Sequence, residues 1–384
     1  MVEQRQANGI PVELVEDAGR LAELVALHGG EDRYAIDTEF VTGKAYGTQL
    51  ALIQVGWREQ IILVDPLATD ISPLAELIAG PSTALLHAAA SDLEILEAEL
   101  GHRPKRMFDT QLAAQLLGWP TPSLKVLVGS LLGVGLDKSK QYSDWAARPL
   151  SDASIDYAAS DVAYLHQLQA QLEGQLAQRG REAWATEEFD AALTRRMTAA
   201  TPEQLWWRIS RAGSLSPSRQ LVVQRLAIYR EERAKARNRP PSQVLRDEAI
   251  VAIASKPPTT VRMLKAMKGL ATVPDPMASE IVALVGEALE ADRDELVASP
   301  DLPLESELDP LLNVLAAFAR QKAMDLEVDA DLLASRRDLT AYLSGSPNRL
   351  AEGWRREVLL GEVEALRAGD ARITLEGDRV RLAP

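Results

Sequence analysis

The stretch Tyr34-Ala35-Ile36-Asp37-Thr38-Glu39-Phe40 constrains this chain more than any other. Its apolar lead reads as a buried strand. Residues two apart on a strand share a face, so Asp37 and Glu39 present two carboxylates side by side. Two like charges at the end of a buried strand are costly unless something positive neutralises them. Carboxylate oxygens without a histidine or thiol beside them suit a hard cation such as Mg²⁺ or Mn²⁺. A lone D-x-E also fits a solvated strand end, so the choice between the two rests on the rest of the chain.

Around that strand the pattern alternates. A helix ends near residue 28, with Leu14, Leu21, Leu24, Val25 and Leu27 on or near one face. Apolar runs at 49–56 and 60–66 read as strands of a meander, and runs at 83–87 and 106–109 read as two more. Helices are expected at 73–80, after Ser91 as cap, after Thr110, at 123–132, and as one long helix from Ser151 to Gln178. Strands followed by alternating helix and strand predict an α/β mixed sheet with helices packed on it. From 217 onward the pattern is helical, apart from a hairpin-like tail at 372–382. The expected division is a first domain at 1–198, a linker at 199–216, a helical domain at 217–296, a linker at 297–309 and a second helical domain at 310–384. Trp206 and Trp207 are expected to dock one domain on another.

The totals narrow the function. A chain of 384 residues holds two or three domains. Cysteine is absent, which excludes thiol nucleophiles, disulfides and thiolate metal sites. His28, His87, His102 and His166 have no zinc spacing, and no G-x-S-x-G elbow accompanies them. No apolar run reaches the length of a membrane helix, and the N-terminus lacks a secretory pattern, so a cytoplasmic protein is expected. The net charge of −14 is uneven. Residues 1–198 carry −12, residues 199–296 carry +3 and residues 297–384 carry −5. Within 219–268 twelve Lys/Arg face four Asp/Glu, a stretch fitted to phosphate.

Three further residues join the strand pair. Asp92 starts a helix directly after an apolar strand, where a helix N-terminus favours an anion. Tyr157 and Asp161 lie four apart on one helix and share a face. Asp37, Glu39, Asp92 and Asp161 make four carboxylates, enough to hold two divalent cations for a phosphoryl displacement. A phenol beside the water would orient it or take its proton.

The order D-T-E at 37–39, H-A-A-A-S-D-L-E-I-L at 87–96 and Y-A-A-S-D at 157–161 resembles the three exonuclease motifs of the DEDD superfamily, tyrosine branch, and within it the ribonuclease D family. Leu52-Ile53-Gln54, Phe108-Asp109-Thr110, Ser143-Asp144-Trp145 and Arg148-Pro149-Leu150 extend the likeness across roughly 10–178. The resemblance implies an RNase H-like fold and 3′→5′ exoribonuclease activity on RNA with a free 3′ end, such as tRNA precursors. It implies that Asp37, Glu39 and Asp161 bind one metal ion, that Asp37 and Asp92 serve a second, and that Tyr157 positions the attacking water. Leu226-x-x-Tyr229-Arg230-Glu231, Arg239-Pro240-Pro241 and Leu264–Leu270 resemble the helicase-and-RNase-D C-terminal (HRDC) domain, with Lys268 where that family commonly has proline. The block from 310 resembles a second, degenerate copy.

Substrate contacts are expected from Thr38, Phe40, His87, Gln141 and Trp145. Phe40 is equally readable as a stacking platform or a core aromatic, and His87 as a packed residue or a contact. Gln54 reads as structural, and Asp152 and Asp156 as surface acids. A monomer is expected. A DNA exonuclease of the same fold, or a non-catalytic RNA-binding protein, would share much of this pattern.

Overall fold

Seven strands of the N-terminal half form one sheet: β1 (Gln6–Ala7), β2 (Ile10–Val15), β3 (Arg33–Thr42), β4 (Thr48–Gly56), β5 (Ile61–Val64), β6 (Thr83–Leu86) and β7 (Arg106–Asp109). Their order across the sheet is β1-β2-β5-β4-β3-β6-β7. The computed structural model describes residues 5–43, 45–136, 143–195, 201–297, 299 and 306–383. Contacts divide the chain into two units, one of residues 1–40, 50–196 and 303–384, the other of 41–49 and 197–302.

The sheet is mixed, as the pattern predicts. β2 runs parallel to β5, β6 parallel to β3 and β7 parallel to β6, while β4 and β5 form an antiparallel hairpin. The central strands are apolar because both of their faces are covered: Tyr34, Ala35 and Ile36 on β3 and all four residues of β5 are buried. Residues 10–15, not among the expected strands, form β2, so Leu14 belongs to the sheet and not to the helix.

The helices are α1 (Ala18–His28), α2 (Leu74–Ile78), α3 (Ala90–Leu100), α4 (Thr110–Gln115), α5 (Leu124–Leu127), α6 (Asp152–Ala163), α7 (Leu165–Gln178) and α8 (Glu182–Thr194). Leu27 of α1, expected on or near one face with Leu21, Leu24 and Val25, is 73% exposed, whereas those three are buried. The expected single helix at 151–178 is two helices, α6 and α7, which meet at Tyr164 (φ −109°, ψ −5°). Ser151 caps α6 by accepting the Ser154 N–H. A Cβ on Gly56 would lie 3.3 Å from Val162 and 3.5 Å from Ala35, so α6 sits close against β4 beside β3.

The second unit is helical, with α9 (Pro217–Ala236), α10 (Pro241–Val244), α11 (Asp247–Ser255), α12 (Val261–Lys265) and α13 (Asp275–Glu290). Trp206, Leu226, Ile250, Leu264 and Ile281 lie in its core. Trp206 and Trp207, expected to join two domains, both donate their indole N–H to the Val297 carbonyl within this unit. Their apolar area is spent on the unit's own core.

Residues 309–383 form α14 (Asp309–Leu326), α15 (Ala330–Ala334), α16 (Arg336–Leu343), α17 (Gly353–Arg355), α18 (Gly361–Ala368) and the hairpin β8 (Arg372–Glu376) with β9 (Arg379–Ala383). This block packs on α8. Arg355 and Glu188 form a buried ion pair, and Glu188 also accepts the Trp354 indole N–H at 2.8 Å. Trp354 stacks on Trp184 with centroids 4.6 Å apart. Gly353 takes φ +51°, where a side chain is strained, and a Cβ there would push aside the Glu187 carboxylate that accepts the Trp354 N–H. Among the described residues, no helix is long and apolar enough to cross a membrane.

Candidate active site

β3 brings Asp37 and Glu39 to one face, and α6 brings Asp161 to meet them. One ligand oxygen from each of Asp37, Glu39 and Asp161 lies within 4.8 Å of the others, and this is the close acidic set among the described residues. All three are half-buried. Asp92 is the exception to the expected four-way cluster: it lies outside the 4.8 Å set. It sits buried in the first turn of α3, and its Oδ1 accepts the Thr38 N–H at 3.1 Å and the Thr38 hydroxyl at 2.6 Å.

The electrostatics show how closely these groups crowd. Burial pushes Asp37 well above the usual carboxylate range, and the charges of Asp92, Asp161 and Glu39 push it further. Glu39 is pushed up to about 8 by burial, then by Asp161 and Asp92. Asp92 rises to about 6 through burial, held back by the Thr38 hydroxyl and the backbone N–H groups around it. The donors are all hard oxygens, so the chemistry of the cluster fits a divalent cation.

Tyr157 is half-buried, one turn before Asp161 on the same helix. Burial raises the phenol above its ordinary range, and the charges of Asp161, Glu39 and Asp37 raise it further. In the metal-free site the phenol therefore stays protonated.

The α3 turn that carries Asp92 is built by a residue the sequence reading left without a role. Asp109, at the end of β7, accepts the N–H groups of Ala88 (3.0 Å) and Ala89 (2.9 Å), as well as those of Gln111 and Leu112. Ala88 takes a left-handed φ of +59°, which costs about 1–2 kcal/mol for a residue with a Cβ. The Asp109 bonds offset that cost. Ser91, expected to cap α3, lies inside its first turn and makes no cap; Ala89 holds the cap position.

The five expected substrate contacts fare differently. Thr38 is only 5% exposed, and its hydroxyl is committed to Asp92. Trp145 is 2% exposed, with its ring 6.0 Å from that of Tyr157, so it packs behind the phenol instead of reaching outward. His87 is half-exposed at the end of β6; its Nδ1 meets the Thr110 hydroxyl at 2.9 Å, and that hydroxyl donates to the Leu86 carbonyl. The Thr110 oxygen thus accepts from Nδ1–H, which fixes the tautomer. Phe40 is half-exposed next to Glu39 on β3. Gln141 lies outside the described residues. Asp152 and Asp156 are exposed and pair with Arg5, as surface acids do.

Comparison with known proteins follows the same division. The family model described as "3'-5' exonuclease" matches residues 12–177, and the HRDC domain model matches 219–274. A ribonuclease D of Jannaschia sp. is 33% identical over 380 residues, covering 94% of this chain and 97% of that protein. A ribonuclease D of Acidiphilium cryptum is 31% identical over 380 residues, covering 96% of each. The crystal structure of Escherichia coli RNase D, described as an exoribonuclease involved in structured RNA processing, superposes with a TM-score of 0.83. It is 29% identical and covers 94% of this chain and 99% of its own.

Proposed function

We propose that this chain, which belongs to the ribonuclease D family and is a hydrolytic 3′→5′ exoribonuclease, trims RNA one nucleotide at a time with two divalent metal ions. The observation that carries the reading is the approach of Asp37, Glu39 and Asp161 to within 4.8 Å of one another. Asp37, Glu39 and Asp161 would hold one ion, and Asp37 with Asp92 the second, as Mg²⁺ or Mn²⁺. Such ions, when bound, make water nucleophilic near neutral pH and stabilise both the attacking and the leaving oxygen of an in-line displacement.

The chain's own residues do the rest. The protonated Tyr157 hydroxyl, one helical turn from Asp161, orients the water that attacks the terminal phosphorus. The P–O3′ bond breaks, the leaving oxygen takes a proton to become the new 3′-hydroxyl, and a nucleoside 5′-monophosphate departs. Thr38 holds Asp92 in place against the repulsion of the other acids. Phe40 and His87 are the half-exposed side chains left to meet the terminal nucleotide.

In the helical unit, Arg237, Arg239, Arg246 and Lys268 line one groove with a single acid, Glu248. This supports a sequence-independent hold on the phosphate backbone. Structured RNA, with tRNA precursors foremost, is the proposed physiological substrate, met in the cytoplasm by a monomer.

Digestion of matched RNA and DNA oligomers in ¹⁸O-water tests this reading. The RNA is expected to yield nucleoside 5′-monophosphates carrying one ¹⁸O, with the DNA degraded far more slowly. Equal rates on both, or label appearing in the shortened strand, would refute it.

A further inference from the structure

The segment Trp145–Arg148 lies outside the acidic cluster, yet it is fastened to the sheet at several points. Arg148 donates through Nε and Nη2 to the two oxygens of Asp65, the second bond being 2.7 Å long. Its Nη2 also reaches the Ala51 carbonyl of β4 at 2.7 Å. Its Nη1 reaches the carbonyls of Trp145 at 2.7 Å and Ala147 at 2.9 Å. Asp65 follows β5 directly and is 1% exposed. A planar fork bound to a buried carboxylate, with carbonyls on both sides, leaves the guanidinium no other arrangement.

What this fastening delivers is the Trp145 indole. Trp145 is buried against Tyr157, with ring centroids 6.0 Å apart and planes inclined at 43°. Tyr157 lies on α6, which starts four residues after Arg148. A tyrosine on a helix keeps freedom at χ1 and χ2, and a hydroxyl at the end of the ring turns a small rotation into a large displacement. A misplacement of about 1 Å at a reacting group costs about 10²-fold in rate.

We propose that Asp65, Arg148 and Trp145 form a positioning device whose task is to hold the Tyr157 phenol in register with Asp161. The proposal rests on the reading above, in which Tyr157 orients the attacking water. Its content is a coupling: the clamp matters to hydrolysis through the phenol hydroxyl, and where that hydroxyl is absent the clamp loses its kinetic effect. A clamp that only ties down a surface segment has no such dependence.

The test is a double-mutant cycle on the full chain, with a short RNA oligomer and Mg²⁺. Trp145→Leu and Arg148→Lys are each expected to lower kcat about tenfold or more, with KM and half-saturating Mg²⁺ changed less than about twofold. In a Tyr157→Phe background the same substitutions are expected to change kcat less than about twofold. Trp145→Phe, which keeps an aromatic ring there, is expected to recover most of the rate. Should Arg148→Lys fail to fold, the Trp145→Leu and Trp145→Phe pair carries the test.

If the losses multiply in full with that of Tyr157→Phe, the positioning role is wrong while the function of Tyr157 stands. Wild-type kcat in Trp145→Leu would overturn it equally. If Tyr157→Phe alone leaves kcat untouched, the role given to the phenol fails, and the positioning device fails with it.

Discussion

At the scale of single residues, the site is a set of carboxylates whose mutual repulsion is tolerated only in the presence of something positive. Asp37, Glu39 and Asp92 all have folded-state pKa values raised above those of free carboxyls, near 8 for Glu39 and near 6 for Asp92. A raised carboxyl contributes stability below its unfolded value and loses it as pH rises through the folded value. The metal-free protein is therefore expected to melt at falling temperature from about pH 5 to pH 8.5, and Mg²⁺ to raise Tm more at pH 8.5 than at pH 6. Thermal melts with and without EDTA measure this. Thr38→Val keeps the volume but removes the hydroxyl bond to Asp92; half-saturating Mg²⁺ is expected to rise about tenfold, from a charge-assisted bond worth about 1.5–3 kcal/mol. Asp37 and Glu39 were legible in the sequence because strand period is local. The partner of Thr38 was not, because it depends on where α3 lands, 54 residues further along the chain. Trp145 misled for a related reason: an aromatic in a polar stretch looks like a surface contact until the helix behind it is placed.

At the scale of elements, α8 and α17 show what the pattern of one segment cannot reveal. Glu188 and Arg355 are 167 residues apart and pair in a buried setting, with Arg355 also donating to the Leu332 carbonyl at 2.7 and 3.0 Å. Removing one partner strands the other charge. Arg355→Ala is expected to cost about 3–5 kcal/mol in chemical denaturation, whereas an apolar pair of matched volume at 188 and 355 is expected to cost far less. No local rule links Gly353, Trp354 and Arg355 to Glu187 and Glu188, so the pattern of residues 353–355 could not supply these partners. The break at Tyr164 escaped notice for the opposite reason: apolar spacing runs on through 151–178, and only the backbone angles part α6 from α7. The strands β3 to β7 were readable because each is a short apolar run bounded by turn residues.

At the scale of the whole molecule, the two units differ in the charge they gather. The carboxylates that would hold metal lie in the first unit, and a groove with four cationic side chains lies in the second. Cutting the chain after residue 213 would not isolate the second unit's role, because residues 303–384 belong to the first unit. Neutralising Arg237, Arg239, Arg246 and Lys268 together is the cleaner change. It is expected to raise KM for long RNA about tenfold and flatten its salt dependence, with kcat on short oligomers altered less than about twofold. Equal effects on long and short substrates would assign the groove another use. The HRDC likeness was legible here because its motif residues lie within some fifty positions of one another. The measurement that bears most directly on the central claim is digestion of a 5′-labelled structured RNA by the wild-type chain and by Asp37→Asn. With Mg²⁺ the wild type is expected to give a ladder shortening from the 3′ end, abolished by EDTA and reduced by at least about 10³-fold in Asp37→Asn. Internal cuts, or trimming by Asp37→Asn at the wild-type rate, would contradict it.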